Sequence, residues 1–233
     1  RQRQMCIRDR LQRMDYSGKF FPDMQPLNVF VVALIAMLVC AAFGTVTGFF
    51  IAYLNVPPFI ATLAMMEIVY GIGLIVTNAT PLGGYVEQYT NVSNGKFLGI
   101  NYLIWIAIIV AAITWFIFNM TRHGKYMYAI GGNPQAAEVA GVPVKATLIL
   151  IYMKAAAMYG LAGFMLGAKA GGASVNLGYG YEMEAIAACT IGGVSVTGGR
   201  GKVSSAIIGV AVFELLKAAL QYLGVDANAQ YIA

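Results

Sequence analysis

Residues Asn28–Tyr53 run for 26 positions without a charge, and a stretch of that length leaves a chain few options. It exceeds the ~20 residues that carry a helix across a hydrocarbon core of about 30 Å, so it can span with some tilt. Four more long apolar runs follow: Phe59 to about Val76, Tyr102–Phe118, about Ala146 to Gly167, and Val203–Leu223. Lipid offers the backbone no hydrogen-bond partners, so spanning segments are helices or closed barrels, and a barrel shows alternating strands of ~10 residues instead. The expected fold is therefore all-α, a polytopic transmembrane helical bundle. The composition agrees, with 59% hydrophobic but 11% charged residues, where soluble domains carry about 25% charged residues.

Punctuation between the runs supports this division. Pro57 and Pro58 break the chain after the first run, because proline lacks an amide hydrogen and restricts the residue before it. Trp105 and Trp115 lie near the ends of the third run, where indoles favour the membrane interface. Ala41, Ala42, Gly44 and Gly48 in the first run permit close helix packing. Leu11–Gln25 and Thr77–Asn101 read as polar loops.

One segment resembles none of the others. Lys169–Gly201 is glycine-rich, carries Tyr179, Tyr181, Glu182 and Glu184, and is apolar only over Ala185–Val196. A dozen residues at ~1.5 Å rise cannot cross as a helix, which predicts a broken or re-entrant element lined by protein or a water-filled cavity. With a full span beginning at Val203, this segment starts on one side of the membrane and ends on the other.

Charge then assigns the sides. The formal charge is +5, yet the basic residues stand singly in loops, without the runs that neutralise nucleic-acid phosphates. The polar island Thr121–Lys145 and the Arg200–Lys202 turn share a face carrying Arg122, Lys125, Lys145, Arg200 and Lys202. Lys19, Lys96, Lys169 and Arg13 fall opposite. The short basic loops place the island in the cytoplasm. Within it, Asn133 suits an N-cap, Pro134 a first helical position, and Gly141 with Pro143 a stop. That pattern predicts a helix of about two turns, too short to persist in water alone, so it either docks on a surface or reduces to a connecting loop.

Two charges lie inside spans. Glu67 and Lys154 each sit about eight residues from the cytoplasmic end, ~12 Å deep. An unpaired charge at that depth costs at least a few kcal/mol. They are expected to pair with each other as an intramembrane clasp. Glu214 and Lys217, three apart, can pair locally.

No catalytic or metal-binding constellation is visible. The one histidine, His123, lies in the basic island, and Cys6, Cys40 and Cys189 show neither a disulfide framework nor ligand spacing. Gly198-Gly199-Arg200-Gly201-Lys202 has neither the spacing of a nucleotide-binding P-loop nor its following Ser or Thr, so this chain is expected to bind no ATP. Residues 1–10 are charged, without an apolar core or cleavage site, and read as a non-native leader of the kind left by sequencing-adapter read-through on a metagenomic fragment. Residues 11–233 are expected to form a single transmembrane domain truncated at both ends.

AIGGNPQAAEVAGV, GYGYEMEAIAACTIGGVSVTGGRG, IAYLNVPPFIATLAMMEIVYGI and LQYLGVDANAQYI together resemble the permease subunit of bacterial ribose/galactose-type ABC importers. That resemblance implies a multi-pass protein of the bacterial inner membrane that passes a monosaccharide such as galactose or a methyl-galactoside. It implies cytosolic ABC ATPase subunits holding ATP and Mg, a periplasmic sugar-binding protein, a second permease copy and surrounding lipid, with no cofactor or metal in this chain. Gly132, Asn133, Ala136, Glu138 and Gly141 match the family's ATPase-coupling loop. Asn176, Tyr179, Tyr181, Glu182, Glu184, Thr190, Ser195 and Thr197 are the translocation-pathway candidates, since a neutral sugar needs hydroxyl-matching groups, although the two acids suit solvation or contact with the delivery protein as well. A secondary transporter or a channel for a small polar solute is the alternative, but no second copy of the broken segment is visible.

Overall fold

The computed structural model describes residues 29–83, 89, 93–97, 99–174 and 176–224. The leader, the Leu11–Gln25 loop, parts of the loop between 84 and 98, and the turn after Gly224 lie outside the described residues. In chain order the helices are α1 Val29–Leu54, α2 Pro58–Thr77, α3 Tyr102–Met120, α4 Arg122–Gly132, α5 Pro134–Val139, α6 Val144–Ala170, α7 Tyr181–Ile191 and α8 Val203–Tyr222. Of these, α1, α2, α3, α6 and α8 are long and apolar enough to cross a membrane, at the five places where the sequence predicts spans. At most 6% of each apolar stretch is covered by the rest of the chain, the reverse of a water-soluble core. Among the described residues between the end of α6 and the start of α8, the helix is α7, with 11 residues, ~16 Å of helix against a core of about 30 Å.

Two compact units are distinguishable, Arg1–Ile106 with Leu148–Gly178, and Ala107–Thr147 with Tyr179–Ala233. In the first, α1 meets α6 along a row of every fourth residue. A β-carbon on Gly48 would lie 2.8 Å from the Ile149 Cα, one on Gly160 2.8 Å from the Ala36 carbonyl, and one on Gly44 would collide with Ala156. Small residues here bring the backbones together, as expected for Gly44 and Gly48, because helices in lipid associate through packing rather than through the hydrophobic effect. The Thr45 and Thr47 hydroxyls donate to the carbonyls of Ala41 and Phe43 at 2.8 and 3.0 Å, so neither is left unpaired inside an apolar helix.

Short ladders tie the loops of this unit. Leu82–Gly83 (β1) pairs antiparallel with Gly172–Ala173 (β4), and Lys96–Phe97 (β2) with Ile100–Asn101 (β3). The Tyr89 hydroxyl donates to the Phe164 carbonyl at 2.6 Å, and its ring meets Phe164 edge-on.

In the second unit α7 folds back on α8. A β-carbon on Gly209 would collide with the Ala188 carbonyl, and one on Gly192 with the Ser205 carbonyl. The hairpin thus closes through Ala188 of α7 and its C-cap Gly192 on one side and Ser205 and Gly209 of α8 on the other, each pair four residues apart. The α7 end is sealed by amide bonds from Gly193 to the Thr190 carbonyl at 2.9 Å and from Val194 to the Cys189 carbonyl at 3.0 Å, a Schellman motif.

Candidate functional site

The polar island contains two helices, where the sequence predicts one. Thr121 starts α4: its hydroxyl accepts from the Gly124 amide at 3.2 Å and donates to the Ile117 carbonyl at 2.6 Å. Asn133 then serves two helices. Its amide closes α4 on the Ala129 carbonyl at 3.0 Å, while its Oδ1 accepts from the Gln135 and Ala136 amides at 3.0 and 3.1 Å to open α5. This is the cap predicted from Asn133-Pro134. At the far end Gly141, at φ +82, donates to the Glu138 carbonyl, and Val142 donates to that of Ala137, both at 3.0 Å. A second Schellman motif therefore stops α5, and the left-handed backbone explains the glycine.

This elbow presents its outer face. Of the coupling candidates, Gly132, Asn133, Ala136, Glu138 and Gly141 are all exposed. Val139 beside them is 91% exposed, whereas Ala137 is buried. Six helical residues with one buried side chain cannot stabilise themselves. What holds the elbow from within is the loop after α7. Gly131 lies against Gly198 and Gly199, where a β-carbon on Gly199 would come within 2.7 Å of the Gly132 amide nitrogen. The Tyr128 hydroxyl donates to the Gly201 carbonyl at 2.8 Å, and its ring packs edge-on against Phe118. The loop folds on itself through the Ser195 amide and the Arg200 carbonyl at 3.0 Å, with the Ser195 and Thr197 hydroxyls 2.8 Å apart. These contacts require the island and the Arg200–Lys202 turn to share one membrane face, as the charge distribution predicts.

Grooves flank this junction. One of about 630 Å³ runs between Tyr128, Gly192, Arg200, Lys202 and Ser205. Another of about 380 Å³ lies among Gly131, Gly132, Ser195, Thr197 and Arg200. The structure therefore brings the coupling candidate Gly132 together with two pathway candidates, Ser195 and Thr197. Tyr128 and Gly131, which meet Gly201 and Gly199 at the junction, are not singled out by sequence, and Gly199 is noted there only in the comparison with a P-loop. The run GGRG signals a tight loop but not its distant partner.

The remaining pathway candidates occupy other settings. Asn176 lies in the turn before α7, where Oδ1 accepts from the Tyr70 hydroxyl at 3.1 Å and its amide donates to the Ser174 Oγ at 3.3 Å. Tyr179 and Tyr181 are exposed and Glu182 is half-buried at the start of α7. The Thr190 hydroxyl turns back onto the Ile186 and Ala187 carbonyls at 3.0 and 2.8 Å, so it is occupied by its own helix. Glu184 forms an ion pair with Lys217 of α8 at 2.8 Å, rather than Lys217 pairing locally with Glu214. Glu67 and Lys154 form no ion pair with each other: Glu67 is exposed and Lys154 half-buried. Equal depth does not fix direction around a helix axis, which is why the expected clasp is absent.

The Glu184–Lys217 pair clasps the open end of the α7–α8 hairpin, with the two side chains 24% and 30% exposed. Lys217→Met should lower the stability of the purified, lipid-embedded protein by about 1–3 kcal/mol, since it leaves a partly buried carboxylate unpaired. Adding Glu184→Gln should restore much of the loss. Thermal unfolding of the single and double variants measures both.

A family model described as branched-chain amino acid transport system / permease component matches residues 15–232. The chain is 41% identical over 229 residues to the galactose/methyl galactoside import permease protein MglC of Escherichia coli (strain K12), covering 95% of this chain and 68% of that protein. It has the same identity and coverage to the protein of that name from Haemophilus influenzae. Against the ribose import permease protein RbsC of Escherichia coli (strain K12) it is 35% identical over 210 residues, covering 88% of this chain and 65% of the relative. No solved structure matches it.

Proposed function

The chain belongs to the family described as branched-chain amino acid transport system / permease component, and on that footing we propose that it is the membrane-spanning permease subunit of an ABC importer for a monosaccharide of the galactose or methyl-galactoside type. The sugar class is favoured over an amino acid because the relatives named for galactose share 41% identity across 95% of the chain. Work is supplied by separate cytosolic ATPase subunits carrying ATP and Mg, and substrate by a periplasmic sugar-binding protein. A second copy of the permease completes the pathway. This chain contributes no hydrolytic chemistry of its own.

The observation that carries this reading is the α4–α5 elbow. A capped helix too short to stand alone, exposed outward and braced inward, suits docking in a groove of the ATPase. Closure of the ATPase pushes α5, and the Gly131–Gly199 contact and the Tyr128–Gly201 bond deliver that push to the loop from which α8 starts. Rigid-body coupling of this kind needs tight packing at the joint and no compliant side chains between the moving parts.

Glu138→Lys tests it. The residue is exposed on α5, so the substitution leaves the permease folded while inverting a charge on the docking face. In the complete reconstituted importer, sugar-stimulated ATP hydrolysis should fall by about tenfold or more, the equivalent of ~1.4 kcal/mol in the coupling step. Unchanged stimulation in a correctly assembled complex contradicts the role given to α5.

A further inference from the structure

Glu67 occupies the middle of α2, nine residues after Pro58 and ten before Thr77. At ~1.5 Å per residue that is about 14 Å from either helix end. The side chain is exposed, and among the described residues it has no ion-pair partner. A charge held in hydrocarbon costs at least a few kcal/mol, and ionisable residues within spans characteristically face water or protein. Its neighbours on the same helix face are informative. Three residues on, Tyr70 donates its hydroxyl proton to Asn176 Oδ1 at 3.1 Å, and Asn176 is itself held by Ser174. Four residues on, Gly71 has nothing within 4 Å of the position a β-carbon would take, so the space beside the carboxylate is open.

We infer that Glu67, Tyr70 and Asn176 line the water-filled passage at mid-membrane and receive the hydroxyl groups of the passing sugar. The inference rests on the sugar-permease reading above. Each sugar hydroxyl is one donor and two acceptors. The Glu67 carboxylate accepts from two neighbouring hydroxyls. With its proton committed to Asn176, the Tyr70 oxygen is an acceptor, and the Asn176 amide group supplies donors through Nδ2. Acceptors and donors thus lie along one edge, with glycine leaving room for a ring. A single carboxylate binds such a solute weakly enough to release it, as transport requires.

The test is made in the complete importer in lipid vesicles, with its ATPase and binding protein. Glu67→Gln should raise the sugar concentration for half-maximal uptake about five- to twentyfold, and Glu67→Leu should raise it further, while stimulation of ATP hydrolysis by the sugar-loaded binding protein persists. Separately, Glu67→Cys in a background lacking Cys6, Cys40 and Cys189 should react with a membrane-impermeant thiol reagent, and added sugar should slow that reaction. Uptake identical to the parent in both Gln and Leu variants overturns the inference, as does a cysteine that never reacts, which would mean that protein or lipid covers the site. Slowing by a monovalent cation but not by sugar overturns it in favour of an ion site. If the unsubstituted importer takes up no sugar, the permease reading itself has failed, so the two failures are distinguishable.

Discussion

Gly209→Leu is expected to prevent the permease from accumulating in folded form. The α7–α8 hairpin closes with backbone against backbone, and even one β-carbon at this position collides with the Ala188 carbonyl while lying 2.7 Å from the Gly192 amide. Overpacking a fitted core costs about 1–3 kcal/mol where side chains can move aside. Here the obstructing atoms are main chain, and α7 cannot retreat without giving up the Glu184–Lys217 pair. A loss of more than about 3 kcal/mol is expected, comparable to a large share of a protein's whole stability. Gly163→Ala is the control, because that glycine has open space around it and alanine is the better helix former by ~1 kcal/mol. Membrane-fraction yield and thermal unfolding should separate the two variants clearly.

Gly199→Val should leave the spans intact but disconnect the elbow from the loop. Gly199 has φ +73, a conformation that β-branched residues avoid, and its missing side chain is where the Gly132 amide sits. The expected outcome is ATP hydrolysis at the basal rate with sugar uptake reduced more than about tenfold, that is, at least ~1.4 kcal/mol of lost coupling. Tyr128→Phe removes only the bond to Gly201 and should cost about 0.5–1.5 kcal/mol, a few-fold loss. Sugar molecules transported per ATP is the deciding readout, because a merely unstable protein loses both activities together.

The sequence made some of this legible and concealed the rest for physical reasons. Spans such as Val29–Leu54 and Val144–Ala170 announce themselves through length and apolarity alone, which do not depend on which way each face points. Asn133-Pro134 and Gly141 predict α5 because capping chemistry is local. Helix α4 was hidden because Gly124, Gly131 and Gly132 lower its intrinsic propensity. Its stability comes from the Thr121 cap and from packing that only the fold supplies. The same limit governed the charges: depth along a helix can be counted, but orientation around it cannot, so Glu67 and Lys154 were matched in depth without meeting. Lys217 had a local candidate in Glu214 and found a better one in Glu184, because the hairpin brings the start of α7 beside α8.

The residue that opens α5 also has an unusual chemical fate. Asparagine side chains age when the following backbone nitrogen attacks the amide carbon, closing a succinimide ring and leaving aspartate or isoaspartate behind. After Asn133 comes Pro134, whose nitrogen carries no hydrogen, so that ring closure is blocked. The side chain that caps α5 is thereby shielded from deamidation through that ring, and the backbone of Asn133, whose amide closes α4, is shielded from the isoaspartate rearrangement that would follow.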